Sequence, residues 1–548
     1  MNLALVGRFF HTLRYLKFRQ FFFRFYYLVY KGSKPKKSSQ VSTRKIKHTP
    51  QKFISREDSL IGPYQFVFLN EMGGLDDLGW EGGDVAKLWR YNQHYFDFIN
   101  SKKSSDQLNW HVNLMSDWVQ KNKPGEGVGW EPYPTSIRIV NWVKWTIGGR
   151  ILPKECLESL SVQAAWLNTR IEFHILGNHL FANAKALVYA GLFFEGPEAD
   201  RWLKKGMRLI SDELQEQILL DGGHFELSTM YHSIFLEDLL DLINLGKLFP
   251  EKILDGEIYV WRKKAGQMIN WLDSMIHPDG EISFFNDAAF RVASRPNALF
   301  EYAERLDIYK KNTAATANVI HLNESGYVRI GNENQVLILD VAKVGPDYLP
   351  GHAHADTLSF ELSLFNERIF VNGGTSEYGC SDIRSYERST AAHNTVVINQ
   401  ENSSEVWAGF RVARRAYPFE LEINQSDTNT TVTCKHNGYE RFINGLIHSR
   451  SWRSSNASLH ISDFVSGDYS EAFAYYHLSP DIQIISVEVS RICIATRSQK
   501  IIILDFDGSS FEIVDGIYAR EFESRTPNKC FKLGLDKNGG ASLRVSWG

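Results

Sequence analysis

Apolar residues recur at three- and four-residue intervals through segments 159–173, 179–194, 197–217, 233–248 and 258–276. That spacing predicts amphipathic helices. Short glycine-bearing joints separate them at Gly177-Asn178, Glu195-Gly196-Pro197 and Asp221-Gly222-Gly223. Helices of similar length with short joints predict hairpins stacked side by side or closed into a ring, and the lack of a fixed period argues against a regular solenoid. Near residue 320 the pattern changes. Short runs rich in Val, Ile, Thr and Phe follow at 336–341, 357–364, 394–399, 430–434, 459–464 and 500–505, parted by turn residues. No long helical pattern interrupts them, which predicts an antiparallel sandwich rather than a parallel α/β sheet. The expected fold class is therefore α+β and multidomain. Expected boundaries are 1–55 for a basic, aromatic-rich segment and tether, 56–315 for the helical domain and 316–548 for the β domain. The seam between the halves is the natural place for a ligand cleft.

A chain of 548 residues fits two or three domains, and 43% hydrophobic with 23% charged residues fits a folded soluble protein. The five cysteines are scattered and form no CxxC pair, so neither a disulfide scaffold nor a thiolate zinc site is expected. Charge changes the picture more. The net value of −3 conceals twelve Lys or Arg and no Asp or Glu within residues 1–50, leaving about −15 on the rest. Any grip on an acidic ligand must come from a local cluster. The leader is broken by Arg8, Arg14, Lys17, Arg19 and Arg24, too often for a membrane span, and it lacks the apolar core and cleavage site of a secretory signal. It reads either as an interfacial helix on anionic lipid, giving peripheral membrane contact through residues 1–50, or as a helix packed on the following domain with a flexible tether over 31–50. There is no Walker loop, strand-linked GxGxxG, HExxH or GxSxG. No nucleic-acid-reading module is present either, and no nucleic-acid partner is expected.

Several clusters could carry chemistry. In Gly351-His352-Ala353-His354-Ala355-Asp356 two imidazoles are one alanine apart, so an extended backbone would turn both to one face. His393, just before the run 394–399, could join His354 and an oxygen ligand in a nitrogen/oxygen metal site of the kind zinc favours. Asn178, at the mouth of an apolar helix, is either an N-cap or an amide donor to a substrate carboxylate. The joint after Gly223 carries Glu226, Tyr231 and His232, readable as wet-edged core or as a proton-handling group with Tyr231 as acid. Upstream, Trp89–Tyr95 with Tyr91 and Asn92, and Trp130, Tyr133 and Arg138, are either groove walls and donors or helix-packing residues.

Six segments in this order make the chain resemble the heparinase II/III family of polysaccharide lyases: LWRYNQHYF at 88–96, WEPYPTSIRIVNW at 130–142, GNHLFAN at 177–183, FELSTMYH at 225–232, GHAHADTLSFEL at 351–362 and STAAHNTVV at 389–397. The resemblance implies an incomplete α/α toroid followed by an antiparallel β-sandwich. It implies β-elimination in a uronate-containing acidic polysaccharide: the C5 proton leaves, the 4-O-linked group departs and an unsaturated sugar end remains. On this resemblance Asn178 and His179 neutralise the uronate carboxylate, Tyr231 is the acid toward the leaving oxygen and, for one C5 stereochemistry, also the base, and His352 is the partner base or neutraliser. Tyr91, Asn92, Trp130, Tyr133, Arg138, Glu226 and His232 are its substrate-binding candidates. Some relatives hold a structural divalent metal, zinc or calcium, at positions matching His354, Asn372 and His393. Asn372 replaces an aspartate there, and the lost charge weakens affinity for a dication. Alternatives are a uronate C5-epimerase, which shares the proton abstraction, and a non-catalytic glycan-binding or assembly protein. A uronate polymer suggests the bacterial envelope or periplasm, while the weak export signal suggests the cytoplasm or the inner-membrane face.

Overall fold

The computed structural model describes residues 3–30, 41–83, 85–310 and 318–548. The helical half is built from long antiparallel helices in chain order, among them Pro132–Ile147, Lys154–Thr169, Gly177–Phe193, Pro197–Gln217, Thr229–Leu248 and Asp255–Ser274. Their apolar faces form one core around Trp118, Trp142, Leu180, Leu239 and Ile269. A small three-stranded sheet at residues 60–74 precedes them, an element that the helical pattern did not announce.

The second half is antiparallel throughout its named sheets. A five-stranded sheet runs from Val319–Leu322 to Glu367–Phe370 in chain order, and an eight-stranded sheet faces it with a four-stranded one. In the large sheet, Asn429–His436 and Ser458–Ser466 alternate buried and half-buried positions along their length. This is the period-two signature of a sheet with one face on the core. Strands Gln335–Asp340 and Phe360–Leu364 are instead buried at every position. The reason is that the five-stranded sheet has a protein layer on each side. One face packs on the larger sheets through Leu337, Leu339 and Leu362. The other packs on the helical half, where Val336 and Ile338 meet Trp271, Met275 and Phe285. That apolar seam locks the two halves together and fixes loops from both sides against each other.

The basic leader is two helices, Leu3–Leu13 and Phe18–Val29, and it packs on both halves. Trp407 Nε1 donates to Thr12 Oγ1 at 3.1 Å, Lys17 pairs with Glu216, and the Phe23 ring lies 4.7 Å from Phe173. Part of the expected tether, 31–40, lies outside the described residues. The rest is held rather than free: Arg44 N donates to Phe193 O at 2.8 Å, and its guanidinium pairs with Asp200.

Candidate functional site

The two halves meet at a cluster centred on Asp287, in an irregular stretch after the last long helix. Its carboxylate accepts from both histidines of the GHAH segment: His352 Nδ1 on Oδ2 and His354 Nε2 on Oδ1, each at 2.8 Å. Arg384 holds the same carboxylate with both terminal nitrogens, and Thr375 Oγ1 adds a bond at 3.3 Å. Burial alone would raise this carboxyl, yet the Arg384 guanidinium and the two imidazoles hold it well below the usual range. An ionised carboxylate only accepts. His352 must therefore carry a proton on Nδ1, which leaves Nε2 as the ring nitrogen facing away from Asp287, toward Glu226.

Residues 351–359 are turns and loop, and the strand begins only at Phe360. The expectation that an extended strand presents both rings is thus corrected: one shared acceptor gathers them. Their fates differ. The His352 side chain keeps 16% of its surface open, while His354 is buried. Arg388 anchors the loop by donating to the Ala353 carbonyl from Nε and one terminal nitrogen, at 3.1 and 2.9 Å.

Tyr231 reaches His352 from the helical half, with ring centroids 3.9 Å apart. It sits in the first turn of Thr229–Leu248, where Ser228 caps the helix by accepting from Tyr231 N at 3.2 Å. The same hydroxyl donates to the Asp287 carbonyl at 2.5 Å, tying the tyrosine's turn to the aspartate's loop. Tyr231 Oη lies 2.8 Å from Tyr378 Oη. Burial pushes both phenols well above their usual range, so they remain protonated.

On the other side of His352, Glu226 Oε2 lies 3.8 Å from Nε2. This buried carboxylate has no side-chain hydrogen-bond partner among the described residues, and burial shifts the group toward its protonated form against the pull of His352, His179 and the nearby Asn178 backbone N–H. Glu226 abuts the start of Gly177–Phe193. A Cβ on Gly177, whose φ is +56°, would sit 2.7 Å from Glu226 Oε1 and collide with Leu349, so only glycine permits this approach. Asn178 is in the first helical turn, not the cap; Leu176 occupies that place with φ 72° and no side-chain bond. The capping reading of Asn178 therefore falls. Leu227 and Asn286, beside Glu226 and Asp287, also have positive φ. Asn286 Nδ2 and Tyr327 Oη brace this stretch by donating to the Leu227 carbonyl at 2.9 and 2.8 Å. Backbone strain of this kind concentrates at functional sites.

His179, 27% open, bonds Glu172 through Nδ1 at 3.1 Å, and Asn183 Nδ2 holds Glu172 at 3.0 Å. Burial opposes the imidazolium, but the Glu172 carboxylate outweighs it and raises the pKa. The Tyr133 ring lies 4.4 Å from that of His179, which makes it a wall of the same site. Tyr91 donates to Glu131 and is half-buried.

Other candidates are corrected. Arg138 has no exposure; its guanidinium bonds Gln163, the His94 carbonyl and Thr135 and covers Trp118. His232 is equally buried, donates to the Met268 carbonyl at 2.9 Å, accepts from His224 N and stacks on Trp271; burial pulls its pKa down to about 3. Trp130 is core, packed against Trp118. Asn92 spends its amide on the Leu88 carbonyl of its own helix. Among the described residues, Arg138, His232 and Trp130 have no free group for a substrate, whereas half-buried Asn92 keeps its carbonyl oxygen uncommitted.

The expected metal ligands divide. His354 Nδ1 and His393 Nε2 lie 3.1 Å apart. The Ser389 carbonyl requires a proton on His393 Nδ1, 2.7 Å away, and Asp287 requires one on His354 Nε2. The facing nitrogens then each hold a lone pair, a clash that only a shared proton or a metal ion relieves. A second pair, His436 and His448, has the same 3.1 Å separation but no such conflict. Gly438 N donates to His436 Nδ1, and His448 Nε2 donates to Asp463, so neutral rings suffice. Burial moves His354 down to about 4 and lowers His393, which disfavours the extra proton. The His354–His393 pair therefore offers two facing nitrogens to a cation such as zinc, with outer bonds orienting each ring, but among the described residues no third His, Cys, Asp or Glu completes a metal cluster. Asn372 is committed elsewhere: its amide donates to the Phe284 carbonyl and accepts from Asn394 N.

A cavity of about 550 Å³ lies apart from this cluster. Arg368, Arg497 and Arg520 on its wall pair with Asp279 and Asp481 there, so its charges are mutually satisfied.

Comparison with known proteins places the chain. Residues 91–316 match the heparinase II/III N-terminus and residues 314–546 the heparinase II/III-like C-terminal domain. A heparin-sulfate lyase of Bacteroides stercoris is 28% identical over 255 residues, 41% of this chain and 36% of that protein. One from Pedobacter heparinus is 25% identical over 331 residues, 53% of this chain and 48% of its own. The chain thus spans less than half the length of these curated relatives. A crystal structure of heparinase III superposes with a TM-score of 0.69 at 19% identity, covering 86% of this chain and 80% of that one, a likeness of fold. With the two domain signatures adjoining in sequence and side chains from both halves meeting around Asp287, the chain belongs to the heparinase II/III family.

Proposed function

We propose that the protein is a polysaccharide lyase that cleaves a uronate-containing acidic polysaccharide by β-elimination. The observation that carries this is the contact of the Tyr231 and His352 rings, 3.9 Å apart, with His352 Nδ1 held by Asp287 so that Nε2 is the nitrogen turned to the site. The proton beside a carboxylate is very weakly acidic, and its removal requires the developing enolate charge to be neutralised. Cationic His179, the Asn178 amide and Glu226 in its protonated form are the donors for that carboxylate. His352 Nε2 takes the C5 proton, and Tyr231, kept protonated by burial, gives its proton to the leaving 4-oxygen. Tyr378 supplies the partner hydroxyl that orients it. A panel of uronate polymers, heparan sulfate first because the matched relatives are named heparin-sulfate lyases, tests the reading by ultraviolet absorbance. Gain of absorbance from a new double bond supports it; epimerised product without that gain would replace it with the epimerase.

The His354–His393 pair is read as a structural zinc site that stiffens the GHAHAD loop. Metal analysis of the dialysed protein should find zinc that His393→Ala loses; a metal-free parent of full stability would refute this. The leader's outward face is read as a peripheral membrane contact. Phe18 and Leu28 are 81% and 77% exposed, with Phe10, Phe25 and Val29 beside them, among cations only. No described helix is long and apolar enough to cross a membrane.

A further inference from the structure

A separate cavity of about 270 Å³ lies where the second leader helix meets the rim of the helical half, lined by Tyr27, Trp130, Glu131, Trp166, Arg170 and His174. It falls just below the roughly 300–1,000 Å³ that takes a drug-sized ligand, which suits a single sugar ring. Its walls combine two features that bear on a ligand. The first is an aromatic frame: half-buried Tyr27 lines the cavity, backed by the buried Trp130 and Trp166, and Arg170 lies 5.0 Å from the Trp166 ring centroid. The second is unmet polarity. Arg170 Nε and His174 Nδ1 are buried without a hydrogen-bond partner. Arg170 makes one hydrogen bond, to the Tyr30 carbonyl at 3.1 Å, and no carboxylate pairs with it among the described residues. Buried donors left unmet are costly, and an acidic sugar would satisfy both the charge and the orphaned nitrogens.

Chain geometry links the cavity to the catalytic cluster. Arg170 and His174 lie on the loop that runs into Gly177–Phe193, and Glu172 between them is the residue that holds His179. On the opposite wall, Glu131 accepts from Tyr91 and is two residues from Tyr133, whose ring contacts His179. The leader closes the cavity: Tyr27 Oη donates to the Ile171 carbonyl at 2.6 Å, and its ring meets His174 edge-on at 5.3 Å.

We propose that this cavity is a distal subsite for one acidic sugar residue of the polymer, walled by Tyr27 of the leader and read by Arg170. The inference rests on the lyase reading and adds a length requirement: chains that reach the subsite bind better than those that do not. The probes are size-defined heparan sulfate di-, tetra- and hexasaccharides and unsulfated oligouronates, titrated calorimetrically into the Tyr231→Phe protein so that none is consumed. Affinity should rise at least tenfold from the disaccharide to the hexasaccharide. Arg170→Gln and Tyr27→Ala, each added to Tyr231→Phe, should erase most of that rise while melting at the parent's temperature. If the parent forms unsaturated product and Arg170→Gln keeps the full rise, the subsite is wrong and the lyase stands. If the rise is present and lost in Arg170→Gln but no unsaturated product forms, the subsite stands and the lyase falls. Absence of binding by every probe overturns both.

Discussion

At the scale of single residues, the site is an exercise in fixing protons. Asp287 accepts from His352 and His354 and is itself held by Arg384, so the tautomer of His352 follows from its partner. Glu172 does the opposite for His179, favouring the charged ring. Because the folded pKa of His179 lies above its ordinary value, the imidazolium persists to higher pH and is lost as pH rises through that raised value. Glu172→Gln leaves burial unopposed, and the alkaline limb of the kcat/KM profile should move to lower pH; an unmoved limb would exclude His179 as a cationic donor. Arg138 provides the contrast. Arg138→Ala should cost about 2–5 kcal/mol of stability, as for other large buried truncations, with KM unchanged, whereas a raised KM in a fully stable protein would restore it to substrate binding. These two fates explain what was legible. Tyr231, His352 and His179 stand in compact motifs. Asp287 and Tyr378 do not, because they lie in irregular stretches where neither helical nor strand periodicity applies, and Arg384 sits in the six-residue helix Asp382–Glu387, too short to show one. Arg138 and His232 were misread because a polar residue on a helix shows its face only once the neighbouring helices are placed.

At the scale of elements, the helix-to-strand switch near residue 320 was readable, and Pro197–Gln217 matches its predicted span. Its bounding Gly-Pro and the sustained period of its apolar face explain that agreement. Boundaries around the site were less so: the strand expected over 357–364 starts at Phe360, since the residues before it are drawn into turns by Asp287 and Arg388. The leader shows the same limit. Its alternation of cations and aromatics carries no mark of which side packs, and both sides are apolar. The inner side meets Phe173, Trp407 and Tyr417, while the outer side is exposed. Intact protein should co-sediment with vesicles containing anionic phosphatidylglycerol, more weakly at high salt. Substituting Phe18, Phe25 and Leu28 by serine should release it with the fold unchanged. Vesicle binding that survives those substitutions would assign the contact elsewhere.

At the scale of the whole molecule, the proposed catalysis depends on the helical half and the β half being held in register. The five-stranded sheet does this, buried on one face by the larger sheets and on the other by Trp271, Met275 and Phe285. Such an apolar seam resists the relative motion that polar domain interfaces allow, so the tyrosine of one half and the histidine of the other stay in contact without substrate. The fold thus preforms the contact that the proposal assigns to acid and base, and the leader spans both halves beside it. The most direct test is turnover of a uronate polymer, followed by the absorbance of unsaturated product, in the parent and in Tyr231→Phe. The account predicts that kcat falls by about 10²-fold or more, the usual weight of general acid–base catalysis, with substrate affinity nearly unchanged. A Tyr231→Phe protein that forms unsaturated product at the parent's rate would contradict it.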